Sequence, residues 1–386
     1  MLTLKIFSGV ACAYYFKTSF FVGDHNSINE IGKLQYDLLI NNPRLFFNDT
    51  TNDFTKYGSG SLFEASNSFW GYLRFSLLFK FVALLNLITK GNFYFNSAIF
   101  SSLVFFGHIA FYRLFATIYP GKKYLLLAAC FFVPSIWLYT ACVHKDGFVF
   151  LSLGIISFVF YKMLQPGYAI KAKHILALLT GFIIIFLFRN YVLVALLPAM
   201  FTVLLCAIFP LKKKQLITLS YGIYIGLFFL TGLLNNSFNL PQAVVNRKAD
   251  FANLEEASTQ LPMNELSPNV ISFAKNIPQA INHTLLRPYL WESKNAGMLL
   301  AAGELFLYQV LFLLALISSY KKQNQMQLFT WFAFLFFASM MLIIGYTIPN
   351  SGAIIRYRGI VWLFVLCPII GNIHWEKIKQ MITAKK

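Results

Sequence analysis

The feature that most limits this chain is a succession of apolar runs, each near the ~20 residues that a helix needs to cross a bilayer. They are Leu2 to Val22, Ser97 to Ile118, Tyr124 to Val143, Gly147 to Leu164, His174 to Phe188, Tyr191 to Phe209, Leu216 to Leu234, Met298 to Tyr320, Leu328 to Ile348 and Gly359 to Ile373. In water such surfaces would aggregate, so the expected fold is all-α: a polytopic integral membrane bundle of about ten transmembrane helices. Composition agrees, with 58% hydrophobic and 12% charged residues against about a quarter charged in soluble domains. No soluble domain fits between the runs, so residues 1–386 form a single transmembrane domain with two long outer loops, 23–96 and 235–297. One more apolar stretch, Phe69 to Thr89, carries Arg74 and Lys80 and reads as a helix lying in the interface within the first outer loop. Ala11-Cys12-Ala13 loosely mimics a cleavage or lipoprotein site. Gly9 is wrong for the latter and apolar sequence resumes beyond Lys17, so an uncleaved anchor is expected.

A formal charge of +18 would ordinarily suggest nucleic acid. Here the lysines sit in short connections: Lys122-Lys123, Lys171 with Lys173, Lys212 to Lys214, Lys321-Lys322 and the tail from Lys377 to Lys386 occupy every second one. That pattern is the positive-inside signal, which makes those loops and both termini cytoplasmic and removes nucleic acid as a partner. The carboxylates sort the other way: Asp24, Glu30, Asp37, Asp49, Asp53, Glu64, Asp146, Asp250, Glu255, Glu256, Glu265 and Glu292 all fall outside, leaving Glu304 in a span and Glu376 in the tail. Pro241, Pro262, Pro268, Pro278 and Pro288 make the second long loop irregular. Loops of this length are usually functional. The cysteines Cys12, Cys130, Cys142, Cys206 and Cys367 are scattered through apolar segments and read as core residues.

The candidate chemistry therefore lies on the outer face. Asp24 follows the first run directly, where a carboxylate can take a proton from a hydroxyl acceptor; its bland reading is a solvated helix end. In the short turn Val143-His144-Lys145-Asp146-Gly147, Asp146 can cap the next helix and Lys145 can meet a lipid phosphate as a point charge. Arg189-Asn190 interrupts an apolar hairpin, Arg287 to Glu292 ends the second long loop, and Arg356-Tyr357-Arg358 precedes the last run. Taken singly, each arginine is an interfacial anchor; as a set they suit a phosphate-bearing lipid, because guanidinium meets phosphate bidentately. Glu304 needs a protein partner or a wet cavity. The six histidines show no i, i+4 pairing, although a divalent metal shared by Asp24 and a loop carboxylate stays open. Walker loop, dinucleotide fingerprint and nucleophile elbow are all missing from the sequence.

An Asp just after the first span, an outer loop with an interfacial helix and a many-span body resemble the GT-C-type integral-membrane glycosyltransferases. Pro134-Ser135-Ile136-Trp137 leading to His144-Lys145-Asp146-Gly147, with Leu286 to Glu292 and Ile355 to Arg358, is similar to segments of bacterial surface-polysaccharide membrane enzymes. The resemblance implies transfer of a sugar from a polyprenyl-phosphate-linked donor to a glycan or lipid acceptor at the outer face of the bacterial cytoplasmic membrane. Asp24 would be the base, and His25, Lys145, Asp146, Arg189, Arg287, Glu292, Arg356 and Arg358 would bind substrate. His25 departs from the pattern, since many members carry a second acidic residue there. Two rivals stand beside this reading. One is a polymerase or ligase of polyprenyl-linked glycans relying on His283, Arg287 and Arg356; the other is a flippase of such lipids, which an internal duplication would have favoured.

Overall fold

The computed structural model describes residues 1–19, 24–48, 62–63, 69–209, 213–234, 238–252, 259–319, 327–375 and 378. The lysines at 212, 321 and 322, most of the basic tail, and Asp49, Asp53, Glu64, Glu255, Glu256 and Glu376 lie outside the described residues. Among the described residues the regular elements are helices, with one isolated β-bridge between Gln260 and Asn350. Among the described residues seven helices are long and apolar enough to cross a membrane, or eight if one bent pair counts as a single span.

In chain order the helices are α1 (Leu2–Ser19), α2 (Asp24–Asn41), α3 (Phe69–Thr89), α4 (Phe93–Ile118), α5 (Lys123–Phe131), α6 (Pro134–Tyr139), α7 (Lys145–Met163) and α8 (Ala172–Ile208). They continue with α9 (Lys213–Leu230), α10 (Leu240–Ala252), α11 (Val270–Ile281), α12 (Ala296–Ser319), α13 (Leu328–Thr347), α14 (Ser351–Gly359) and α15 (Leu363–Asn372). Four apolar runs depart from single straight spans. Tyr124 to Val143 is divided into α5 and α6, because Pro134 drives Val133 into extended backbone (φ −73°, ψ 114°). The last run joins α14 to α15 across a 66° bend. The runs on either side of Arg189 merge into the 37-residue α8, which breaks at Arg189 (φ −150°, ψ 68°). Meanwhile α1, with Lys5 and Lys17, is not among the seven.

The centre of the bundle is α7. Of its apolar window 72% is buried against protein, whereas the corresponding figure for α9 is 0%, so α9 lies at the periphery of the bundle. Glycine permits the closest approach: a Cβ on Gly154 would stand 2.8 Å from the Gly107 carbonyl oxygen, so α4 and α7 touch backbone to backbone. They run parallel, since Gly147 faces Phe100 and Gly154 faces Gly107. Helix α13 runs the other way, with Phe332 against Phe160 (5.0 Å between ring centroids) and Phe329 against Tyr161 (5.8 Å).

The same bookkeeping of neighbours fixes the course of α8. Its first arm is antiparallel to α7: Gly181 meets Ile156, and Phe188 stacks on Phe148 at 5.1 Å. Its second arm is antiparallel to α9, because Tyr224 donates to the Val194 carbonyl (2.9 Å) while Cys206 reaches the Lys213 carbonyl (3.7 Å). Helix α9 itself is parallel to α13, with Tyr221 beside Ser339 (3.3 Å) and both Phe228 and Tyr346 packed on Phe273. The two arms of α8 therefore run in opposite senses, and the corner between them is Arg189.

Candidate functional site

The start of α7 explains why charge collects at one place. His144 takes extended backbone (φ −159°, ψ 152°) at the N-cap, ahead of Lys145 and Asp146 in the first helical turn. There the carboxylate of Asp146 faces the positive end of the helix dipole. The N-cap residue is thus His144, not Asp146. Asp146 is fully buried, and its carboxylate is paired with Arg189 at the α8 corner. Arg356 Nε of α14 lies 3.7 Å from the same carboxylate, and His144 Nδ1 lies 3.0 Å from it. His144 Nδ1 is also 3.3 Å from the Asp146 backbone N–H. One nitrogen cannot donate to the carboxylate and accept from the N–H together, and the shorter contact makes Nδ1 the donor.

Asp24, at the start of α2, extends this network to the surface. Arg356 Nη1 donates to its Oδ2 at 2.9 Å, and His144 Nε2 lies 3.9 Å from the same oxygen. Partial desolvation pushes the Asp24 carboxyl up, but the Arg356 charge and hydrogen bond outweigh it and hold the group at about 2. Asp24 is therefore ionised at neutral pH. His144 is held below the ordinary histidine range by burial, against the pull of Asp146, so it is neutral and turns the Nε2 lone pair toward Asp24. His25, expected to bind substrate, is buried between Phe16 (4.1 Å) and His144 (5.1 Å). Burial above all, with the Arg356 charge, depresses it to about 3, so it acts as an uncharged aromatic spacer.

Two tyrosines close the inner side. Arg189 Nη1 donates to the Tyr191 hydroxyl at 2.8 Å, and its guanidinium lies over the Tyr357 ring, 3.9 Å from the centroid. Lys145 places its ammonium over Phe75 of α3 at 4.1 Å. Thus Asp24, Lys145, Asp146, Arg189 and Arg356 gather in one region.

Three expected site residues go elsewhere. On α14, residues 356 and 358 are two apart, about 200° around a helix, so their side chains diverge. Arg358 is buried and donates to the carbonyls of Thr284 (2.8 Å) and Arg287 (2.7 Å), clamping the segment after α11. Arg287 pairs with Glu292 at 3.2 Å, and Glu292 also accepts from the Tyr289 N–H at 3.2 Å. That pair is satisfied within its own turn. Glu304 finds protein partners rather than an arginine hydrogen bond: it accepts from Ser135 N–H (2.9 Å), Ser135 Oγ (2.6 Å) and Tyr308 (2.6 Å). It thereby caps α6. In Glu304→Gln one side-chain oxygen becomes an amide donor facing these donors, so a loss of about 1–3 kcal/mol is expected, read as a lower melting temperature in detergent.

Beside the cluster lies a cavity of 320 Å³, walled by α8, α9, α11 and α13. Most of its wall is aromatic and aliphatic, including Tyr224, Phe228, Phe273 and Tyr346; Asn190, Tyr191, Tyr357, Arg74 and Arg247 supply the polar part. No carboxylate is among the described residues that line it. Arg74 donates to the Leu62 carbonyl (2.9 Å), which also accepts from Asn190 (2.5 Å). Arg247 lies over Phe251 and 3.8 Å from Asp250. Sequence reasoning missed Arg74, Arg247, His144 and the two tyrosines as site residues. Only His144, inside the charged turn, carried a usable signal. Among the described residues, no three His, Cys, Asp or Glu side chains form a group able to hold a metal ion.

What the fold and site define is a helical protein with membrane-length apolar helices and a buried ion-pair network beside an apolar cavity. No protein-family model, curated protein or solved structure matches the chain.

Proposed function

We propose that the chain is an integral-membrane glycosyltransferase that moves a sugar from a polyprenyl-phosphate-linked donor to an acceptor hydroxyl at the outer face of the bacterial cytoplasmic membrane. One observation carries this: the chain Asp24, Arg356, Asp146, Arg189 ends at Tyr357, in the wall of an apolar cavity that also presents Arg74 and Arg247. An ionised carboxylate, guanidinium groups and a lipid-compatible chamber then stand side by side. The acceptor oxygen attacks the anomeric carbon as its proton passes to Asp24. The bond from that carbon to the phosphate oxygen breaks, and its electron pair leaves on the phosphate, where cationic side chains stabilise the growing charge.

The helix arrangement supports about ten crossings: α1, α4, the α5–α6 pair, α7, each arm of α8, α9, α12, α13 and the α14–α15 pair. Helix α3, although one of the seven long and apolar enough to cross, is then the interfacial element. Its Thr89 bonds Asn96 at the outer end of α4 (2.7 Å), and its Trp70 packs on Phe186, one turn before the Arg189 corner. With both of its ends near the outer side, Asp24 stays outside and both termini are cytoplasmic.

The test is reconstitution of the purified chain in liposomes with a polyprenyl-phosphate-linked hexose and a range of soluble and lipid acceptors. Release of free polyprenyl phosphate is expected, slowed at least ~10-fold by Arg247→Glu, equivalent to about 1.4 kcal/mol of barrier. Passage of the lipid across the bilayer with its sugar intact would instead make the chain a flippase. The closed Arg287–Glu292 pair gives a polymerase that relies on that loop less support.

A further inference from the structure

A second cavity, of 490 Å³, opens between α1, α2 and the start of α4. It is more polar than the first: Lys17, Asn26, Ser27, Glu30, Asn92 and Tyr94 are among the residues that line it. Asp24 begins the same helix, so Ser27 and Ile31, three and seven residues on, lie along the carboxylate's side of α2. Asp24, the end of the ion-pair chain that starts at Tyr357 in the wall of the first cavity, thus also begins the helix that walls the second.

The polar cavity has a rigid floor. Asn96, fully buried, donates to Asn86 (2.8 Å) and Asn29 (3.3 Å), while Thr89 donates to Asn96 (2.7 Å). Asn86 in turn donates to the Gly32 carbonyl (3.4 Å), tying α2 to α3. Through this network the Asn29 amide is fixed with its nitrogen on Glu30 (3.3 Å), and Glu30 is held by Lys33 (2.8 Å). Donors and acceptors of set orientation at the floor, beside the Tyr94 ring at the rim, are what a polyhydroxylated ring needs: paired hydrogen bonds to neighbouring hydroxyls and an apolar face to stack on. The volume falls in the range of about 300–1,000 Å³ typical of small-molecule sites.

We infer that this cavity is a saccharide site, which takes the hydroxyl-bearing acceptor and delivers it to Asp24. Its role as acceptor site rests on the glycosyltransferase reading; its capacity to bind sugar does not. Glu30 is paired with Lys33, and the one further cation among the described lining residues, Lys17, lies over the Tyr94 ring at 5.4 Å, so a neutral sugar fits and a cationic one does not.

The experiment uses the full chain in nanodiscs and saturation-transfer NMR with glucose, galactose, rhamnose and N-acetylglucosamine as probes. At least one of them should show transfer. Ser27→Trp, which fills the cavity from an exposed position, should weaken it at least tenfold with an unchanged melting temperature. Glu30→Gln, which keeps the shape, should weaken it less. Asp24→Asn should bind sugar normally while losing turnover. Absence of transfer to all four probes overturns the inference, as does binding indifferent to Ser27→Trp. Sugar binding without any glycosyl transfer would retire the enzyme reading and leave this site standing, whereas glycosyl transfer with an unchanged acceptor KM in Ser27→Trp would do the reverse.

Discussion

Asp146→Asn is expected to prevent the protein from accumulating. Arg189 is 2% exposed and pairs with Asp146 as its carboxylate, so the amide leaves a guanidinium buried without a counter-charge. It also leaves one acceptor oxygen where His144 Nδ1 and Arg189 use two, and removes the anion 3.7 Å from Arg356. Removing one partner of a buried pair costs about 3–5 kcal/mol, a large fraction of the 5–15 kcal/mol that holds a typical folded domain together. The pair is not thereby a net source of stability, because each ion was taken out of water to form it. The informative companion is Asp146→Asn with Arg189→Met, which removes both charges and keeps an apolar stem over Tyr357. That double variant should recover much of the lost abundance and melting temperature. If the two substitutions add without recovery, Arg189 and Asp146 are not coupled, and the network is not what holds the α8 corner against α7.

How much of this was legible in the sequence follows from which interactions are local. The apolar runs were plain because a bilayer obliges every spanning backbone to satisfy itself within a helix, and that requirement leaves ~20-residue signatures. Pro134 was equally plain, yet the break it makes at Val133 was folded into one run from Tyr124 to Val143, since hydropathy averages over a single turn. Arg356 and Arg358 were expected to act together. Their spacing already contained the answer, because two residues on a helix face nearly opposite sides. The partnership of Asp24 with Arg356 was not legible, for 332 residues separate them and no periodicity reports which turns of remote helices meet. Arg74 and Arg247 were hidden for another reason: each sits in a segment read for its position relative to the membrane, and an arginine read as an anchor looks the same as one lining a chamber. Which charged residues crowd the outer ends of the runs was therefore legible, with Asp24 as the expected centre, and the cavity beside them was not.

Asp24→Asn carries the second large effect, and unlike the first it should spare the fold. The side chain of Asp24 is 62% exposed and makes its main contact with Arg356, whose Nε stays beside Asp146. Abundance and melting temperature should change little, since an exposed pair of this kind contributes at most about 1 kcal/mol. Glycosyl transfer should fall at least ~100-fold, the lower end of what a positioned general base contributes. The pH dependence gives a second reading. A carboxylate held at about 2 is a weak base, so in the free protein it stays ionised down to that region, and any stability it lends is lost only as pH falls from about 4 through 2. A phosphate arriving beside Tyr357 competes for the Arg356 guanidinium that depresses Asp24. Drawing that charge away raises the basicity of the carboxylate when donor is bound. Turnover under saturating donor should accordingly show an acid limb at higher pH than kcat/KM for the free protein. Coincident limbs would mean that Arg356 stays with Asp24 throughout, and an Asp24→Asn protein that still transfers sugar would place the base elsewhere, with the neutral Nε2 of His144, 3.9 Å from Asp24, the nearest group able to take the proton.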